Sequence, residues 1–284
     1  MIGIVDVGGG TRGEYSCGVL DRCMDEKLHF DYVIGVSAGG GNAVSFLAGQ
    51  RGRNYIFYHD YAFRPEYMGI GCLLKTGSLI GLDYIYGTLT NSDGENPLDY
   101  DALQQSPSQL EIVATDARTG DPVYFGKQDI GRDNYDVLKA SCSVPAVCRP
   151  YRIDGVPYFD GGISDPIPFK RALAAGCDRL VIVLTKPADA TMDTWKTIFG
   201  SCAVRPRFPH VSERISAYNR LYLQQLHEAK ALEKEGKALI VAPDSIAGFK
   251  TLTKDRSGTE LLYRKGYEDT AAIRAFLEQG APTE

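Results

Sequence analysis

The stretch Tyr32-Val33-Ile34-Gly35-Val36-Ser37-Ala38-Gly39-Gly40-Gly41-Asn42 changes character at a single residue. Before Ser37 it is apolar and β-branched, as a buried strand is. From Ala38 to Ala48 it is small and apolar, as a helix pressed against a sheet must be. Gly35-Val36-Ser37-Ala38-Gly39 therefore reads as a G-x-S-x-G turn joining strand to helix. The chain bends there so tightly that the serine hydroxyl is thrust outward and a Cβ two places to either side would collide. The helix that follows aims its positive end at Ser37. A serine in that setting is a candidate nucleophile.

Upstream, Ile2–Val7 is a short apolar strand and Gly13–Glu26 has the apolar spacing of a helix packed on one side, at Tyr15, Val19, Leu20 and Met24. Between them lies Gly8-Gly9-Gly10-Thr11-Arg12-Gly13. Its glycines satisfy G-x-G-x-x-G, but a dinucleotide site needs an acid at the end of the second strand to hold the ribose. That position is Ser37, and the nearest acid, Asp31, stands at the start of the strand. The other use of such a loop is to cradle an anion with backbone N–H groups that no side chain obstructs. We expect the N–H groups of Gly8, Gly9 and Gly10 to form an oxyanion hole, with Arg12 adding positive charge.

Downstream, strand and helix signals continue to alternate. Strands are expected at Gln109–Thr115, Pro122–Gly126, Arg179–Leu184 (central) and Ala238–Val241, and helices at Asp136–Cys142, Pro168–Ala175, Val211–Glu235 and Gly258–Gln279. The pattern is that of the α/β class, a mostly parallel sheet covered on both faces. Gly69–Asn96 and Ala188–Pro209 have the weakest periodicity and read as flaps or insertions.

A serine nucleophile needs a base. Of the four histidines, His29, His59, His210 and His227, none is flanked by the turn residues that hold a catalytic imidazole on a loop. Tyr158-Phe159-Asp160-Gly161-Gly162 instead places a carboxylate at the end of an apolar strand, with two glycines that let another loop come close.

Composition narrows the remaining classes. The 284 residues include 36 acids against 31 bases, so nothing marks a nucleic-acid partner. Seven scattered cysteines with no C-x-x-C pair suit reduced thiols in a cytoplasmic protein, and no apolar run is long enough to span a bilayer. No leader or anchor is expected. The segment from Trp195 and Lys196 to Arg205 and Arg207 interleaves aromatic and basic residues, which suits transient contact with the inner face of an anionic membrane.

With the glycine-rich loop, the elbow and Asp160-Gly161-Gly162 in this order, the chain resembles the patatin-like phospholipases. Smaller likenesses lie at Ala114-Thr115-Asp116, Ser143-Val144-Pro145 and Ser164-Asp165-Pro166-Ile167-Pro168, and the resemblance is strong over residues 1 to about 185. It implies a three-layer α/β/α sandwich, a Ser37–Asp160 dyad without histidine, hydrolysis of a lipid ester, and neither metal nor cofactor. Residues 186–284 would complete a single domain of the bacterial type. Two rivals remain at this point: a Ser-His-Asp esterase of the α/β-hydrolase type, and a lipid-binding member of the fold without activity.

Overall fold

The structure is a computed structural model and describes residues 1–189, 201–246 and 254–279. Five strands run parallel: β1 (Ile2–Asp6), β2 (Tyr32–Val36), β3 (Gln109–Asp116), β7 (Arg179–Val183) and β8 (Ala238–Val241). Three are antiparallel to their neighbours: β4 (Pro122–Gly126), β5 (Tyr151–Ile153) and β6 (Val156–Asp160). The sheet order is β5-β6-β3-β2-β1-β7-β8, with β4 also paired to β3.

The alternation along each strand makes the layers. Ile4, Val33, Ile112 and Val181 point into one core, while Val5, Ile34, Val113 and Ile182 point into the other. The first core is roofed by α1 (Gly13–Asp25), α2 (Ala38–Leu47), α5 (Tyr100–Gln105), α6 (Asp136–Ser141), α9 (Arg256–Asp269) and α10 (Ala271–Glu278), the second by α7 (Phe169–Ala174) and α8 (Pro209–Lys234). Both faces of β1, β2 and β7 are buried, so these strands are mostly apolar, and the three-layer α/β/α arrangement expected from the sequence is present. The α-helices α3 (Arg53–His59) and α4 (Ile70–Thr76) belong to the connection between α2 and α5.

The C-terminal segment enters both layers. Tyr222, Leu226 and Ala229 of α8 lie in one core, and Leu262, Ile273 and Phe276 of α9 and α10 lie in the other. Two expectations need correction. The Arg179–Leu184 strand is not central but second from the edge, because β8 adds outside it. The single closing helix over Gly258–Gln279 is two helices. Thr270 divides them, its hydroxyl donating to the Gly266 carbonyl at 2.9 Å and turning the chain against α1. A hydroxyl bonded back to the preceding turn is a known cause of a bend.

Candidate active site

Strand register sets the geometry. Val36 pairs with Val113, and the next residue of β3, Ala114, pairs with Asp160. Because β4 runs along the opposite edge of β3 beside both stretches, the end of β2 and the end of β6 lie on the same side of β3 and meet end to end, which brings Ser37 and Asp160 together. Both residues are buried, and the Ser37 hydroxyl lies near enough to the Asp160 carboxylate to favour its ionised form.

Ser37 has φ 55° and ψ −127°, a conformation that side chains other than glycine's avoid. Strain of that kind costs about 1–3 kcal/mol. Two bonds hold it: the Ser37 N–H donates to Ser141 Oγ at 2.9 Å, and the Gly40 N–H donates to the Ser37 carbonyl at 2.9 Å. At about 1 kcal/mol net for each bond, they offset most of the strain. The neighbouring glycines are steric necessities. A Cβ on Gly35 would stand 2.5 Å from the Gly39 carbonyl oxygen, and one on Gly39 would stand 2.4 Å from that of Asp6.

Asp160 is held by hydrogen bonds. Its N–H donates to the Ser143 carbonyl at 2.9 Å, and its carbonyl accepts from Thr115 Oγ1 at 2.8 Å. Its Oδ1 accepts from the Gly162 N–H at 2.8 Å. A Cβ on Gly161 would meet the Val113 carbonyl at 2.2 Å, so the glycine after the acid allows the close approach to β3. Burial pushes the carboxyl up to about 6, against the Ser37 hydroxyl and the Gly162 N–H, which pull it down.

The glycine-rich loop requires a correction. Gly8, Gly9 and Gly10 all have positive φ, as an anion cradle demands, but the Gly8 N–H donates to Asp6 Oδ1 at 2.9 Å. It is therefore not available to an oxyanion, and its carbonyl is taken by the Thr185 hydroxyl. Gly9 and Gly10 are left to line the cleft beside Ser37. Arg12 lies against Gly9, and its Nε is buried without a partner among the described residues. Burial lowers its pKa, while Tyr218 and Tyr222 favour the cation.

Sequence reasoning missed Asp6, Ser141 and Ser143. Asp6 is buried, with Oδ2 accepting from Asn42 Nδ2 at 3.1 Å, and so ties the glycine loop to α2. Burial raises its carboxyl to about 6. Ser141 and Ser143, at the end of α6, hold the backbones of Ser37 and Asp160 and lock the two together. The cleft of ≈ 340 Å³ over this site is also lined by Lys186, whose ammonium sits 3.7 Å from the Tyr222 ring centre. Burial and the nearby Arg12 lower Lys186 to about 8.

None of the four histidines lines this cleft. His29, His59 and His210 sit beside Asp31, Asp60 and Glu213, and His227 lies within α8. Of the residues expected to meet a membrane, Trp195 and Lys196 lie outside the described residues, while Arg205 and Arg207 are exposed. A larger apolar exposure stands on α4, where Ile70 is 72% and Leu74 82% exposed. No helix among the described residues is long and apolar enough to cross a membrane.

A mixed parallel sheet between helical layers, with a strained serine elbow and a strand-end aspartate brought into one cleft beside β3, defines the class of fold. The patatin-like phospholipase family matches residues 7–173, and the chain belongs to that family. Its members are typically lipid acyl hydrolases. A second family, described as a domain of unknown function (DUF6363), matches residues 208–279. Among relatives, the chain is 31% identical over 200 residues to the uncharacterized protein YjjU of Escherichia coli K12, covering 66% of this chain and 52% of that one. Uncharacterized NTE family proteins of Mycobacterium tuberculosis and Mycobacterium bovis are 30% identical over 89 residues, 31% of this chain and 24% of theirs. The chain thus spans about half the length of YjjU and a quarter of the mycobacterial proteins. The crystal structure of VipD from Legionella pneumophila is similar over 98% of this chain and 66% of that one, with 14% identity and a TM-score of 0.47.

Proposed function

We propose that the protein is a serine hydrolase of lipid esters working through a Ser37–Asp160 dyad. Asp160 takes the Ser37 proton as the hydroxyl attacks the ester carbonyl. The N–H groups of Gly9 and Gly10, with Arg12 behind them, meet the developing oxyanion. Asp160 then returns the proton to the departing alcohol, and water attacks the acyl-serine by the same route. The observation that carries this reading is the strained Ser37 sharing one cleft with the buried Asp160 carboxylate, with no histidine in the lining. It also disfavours the Ser-His-Asp alternative. Residues 208–279 belong to the same unit in this reading, because Tyr218 and Tyr222 of α8 form one wall of the cleft. Phospholipid or lysophospholipid is the substrate we favour, met at a surface through exposed α4 and the Arg205 and Arg207 segment.

A fluorophosphonate label tests the reading directly. It should attach to Ser37, and unlabelled Ser37 beside a labelled control serine hydrolase would overturn it.

The base must be ionised, and burial holds it near 6. kcat/KM should therefore be flat above about pH 7 and fall by about tenfold per pH unit below 6. A profile still flat at pH 5 would remove Asp160 as the base.

Arg12→Ala should lower kcat about 10- to 100-fold, less than loss of a direct oxyanion donor. The unpartnered Nε beside Gly9 is the reason. Turnover equal to wild type would make Arg12 a packing residue only.

A further inference from the structure

Ser37 lines two cavities. The first is the ≈ 340 Å³ cleft, where Asp160, Arg12 and Lys186 stand among apolar residues such as Val144, Ile163 and Ile215. The second opens from Ser37 on the other side and is lined by Tyr67, Met68, Ile80, Leu82, Ile85 and Tyr86, among others, and Asp160 does not reach it. In ester hydrolysis the base that deprotonates the serine must next protonate the leaving alcohol, so the alcohol has to lie on the side of Asp160. The acyl chain is left with the other side.

That side is short. It offers ≈ 80 Å³ in which the centres of water-sized groups can sit. One such group needs about 10–15 Å³ by this measure, and a methylene is close to water in size, so about five to eight carbons fill it. Ile80 and Leu82 line this pocket and also line a separate cleft of ≈ 440 Å³, so they stand where the two adjoin. The wall is held by backbone. Ile80 bridges to Met68, and the Gly81 N–H donates to the Tyr67 carbonyl at 2.8 Å.

We infer that Ile80 and Leu82 are the chain-length filter of this enzyme and that its acyl substrate is of short to medium length. The inference rests on the hydrolase reading above and narrows it: the lipid ester is one with a short to medium acyl chain, in place of the long-chain phospholipids of a bilayer. A chain longer than the pocket meets the two side chains end on, whereas removing either joins the pocket to the larger cleft.

The test is a series of p-nitrophenyl esters with acyl chains from two to sixteen carbons, all presented in the same detergent micelles. It is run on the wild type, Ile80→Ala, Leu82→Ala and Ile80→Phe, with Ser37→Ala as the blank. Wild-type kcat/KM should peak at about four to eight carbons and lie at least about tenfold lower at fourteen. Each alanine variant should raise the fourteen-to-six ratio about tenfold. Ile80→Phe should move the optimum to shorter chains, and it decides the matter if the alanine variants do not fold. A wild-type profile that is flat or best at sixteen carbons, or ratios unchanged in folded variants, overturns the filter and leaves the dyad standing. Absence of Ser37-dependent hydrolysis at every length overturns both.

Discussion

Ser37→Ala and Asp160→Asn should each lower kcat by about 10⁴-fold or more, with the double variant scarcely worse than either single one. The hydroxyl and the carboxylate act in one proton transfer, so once either is gone the other has nothing to do. Stability supplies an independent readout. Burial raises Asp160 from 3.8 to about 6, so its ionisation opposes folding. That cost grows as the pH rises from about 4 to 6 and is fully present above. Asp160→Asn removes it, and the variant should gain stability at pH 8, by at most about 3 kcal/mol at 1.36 kcal/mol per unit, and gain little at pH 4. Urea denaturation at the two pH values checks this. Defects that multiply in full, or an Asp160→Asn protein no steadier at pH 8, would separate the two residues and break the dyad.

The second large effect is expected far from any contact with substrate. Asp6→Ala strips the Gly8 N–H of its acceptor and leaves it unsatisfied, while Asn42 Nδ2 keeps the Gly13 carbonyl and Ser16 Oγ. The unsatisfied donor costs about 1–3 kcal/mol. The glycine loop then loses its tie to α2, and misplacement of oxyanion donors by about 1 Å costs roughly 10²-fold in rate. The expected outcome is therefore kcat down about 100-fold with KM little changed, alongside a lowered melting temperature. Asp6→Asn should fall between: its carbonyl can still receive Gly8, but its amide meets the Asn42 amide donor to donor. Wild-type kcat in a folded Asp6→Ala protein would mean the loop holds itself.

Much of this was legible in the sequence because it is local. The elbow declares itself through glycines that sterics impose within four residues of Ser37, and strands buried on both faces show as unbroken apolar runs. What stayed hidden depends on pairing between distant segments. Nothing in Arg179–Leu184 says that β8 will add outside it, and a continuous helical pattern across Asp269 and Ala271 does not reveal that Thr270 bonds back and turns the chain. Ser141 and Ser143 look like ordinary helix-end serines, since their partners lie on β2 and β6. Asp6 did leave a trace, a carboxylate closing an apolar strand just before the three glycines. Its consequence, that Gly8 is committed before any substrate arrives, required the hydrogen bond itself.

The positive φ of Ser37 also bears on how such a protein would drift. At that turn a glycine would sit without strain, so the nucleophile is held in place against the preference of its own backbone. Selection for folding alone would remove the serine sooner than almost any other residue around it, and only continued demand for its chemistry keeps it there. A lineage released from that demand would therefore lose its nucleophile before its architecture. It would leave behind a sandwich with an intact cleft, sturdier than its ancestor and chemically silent.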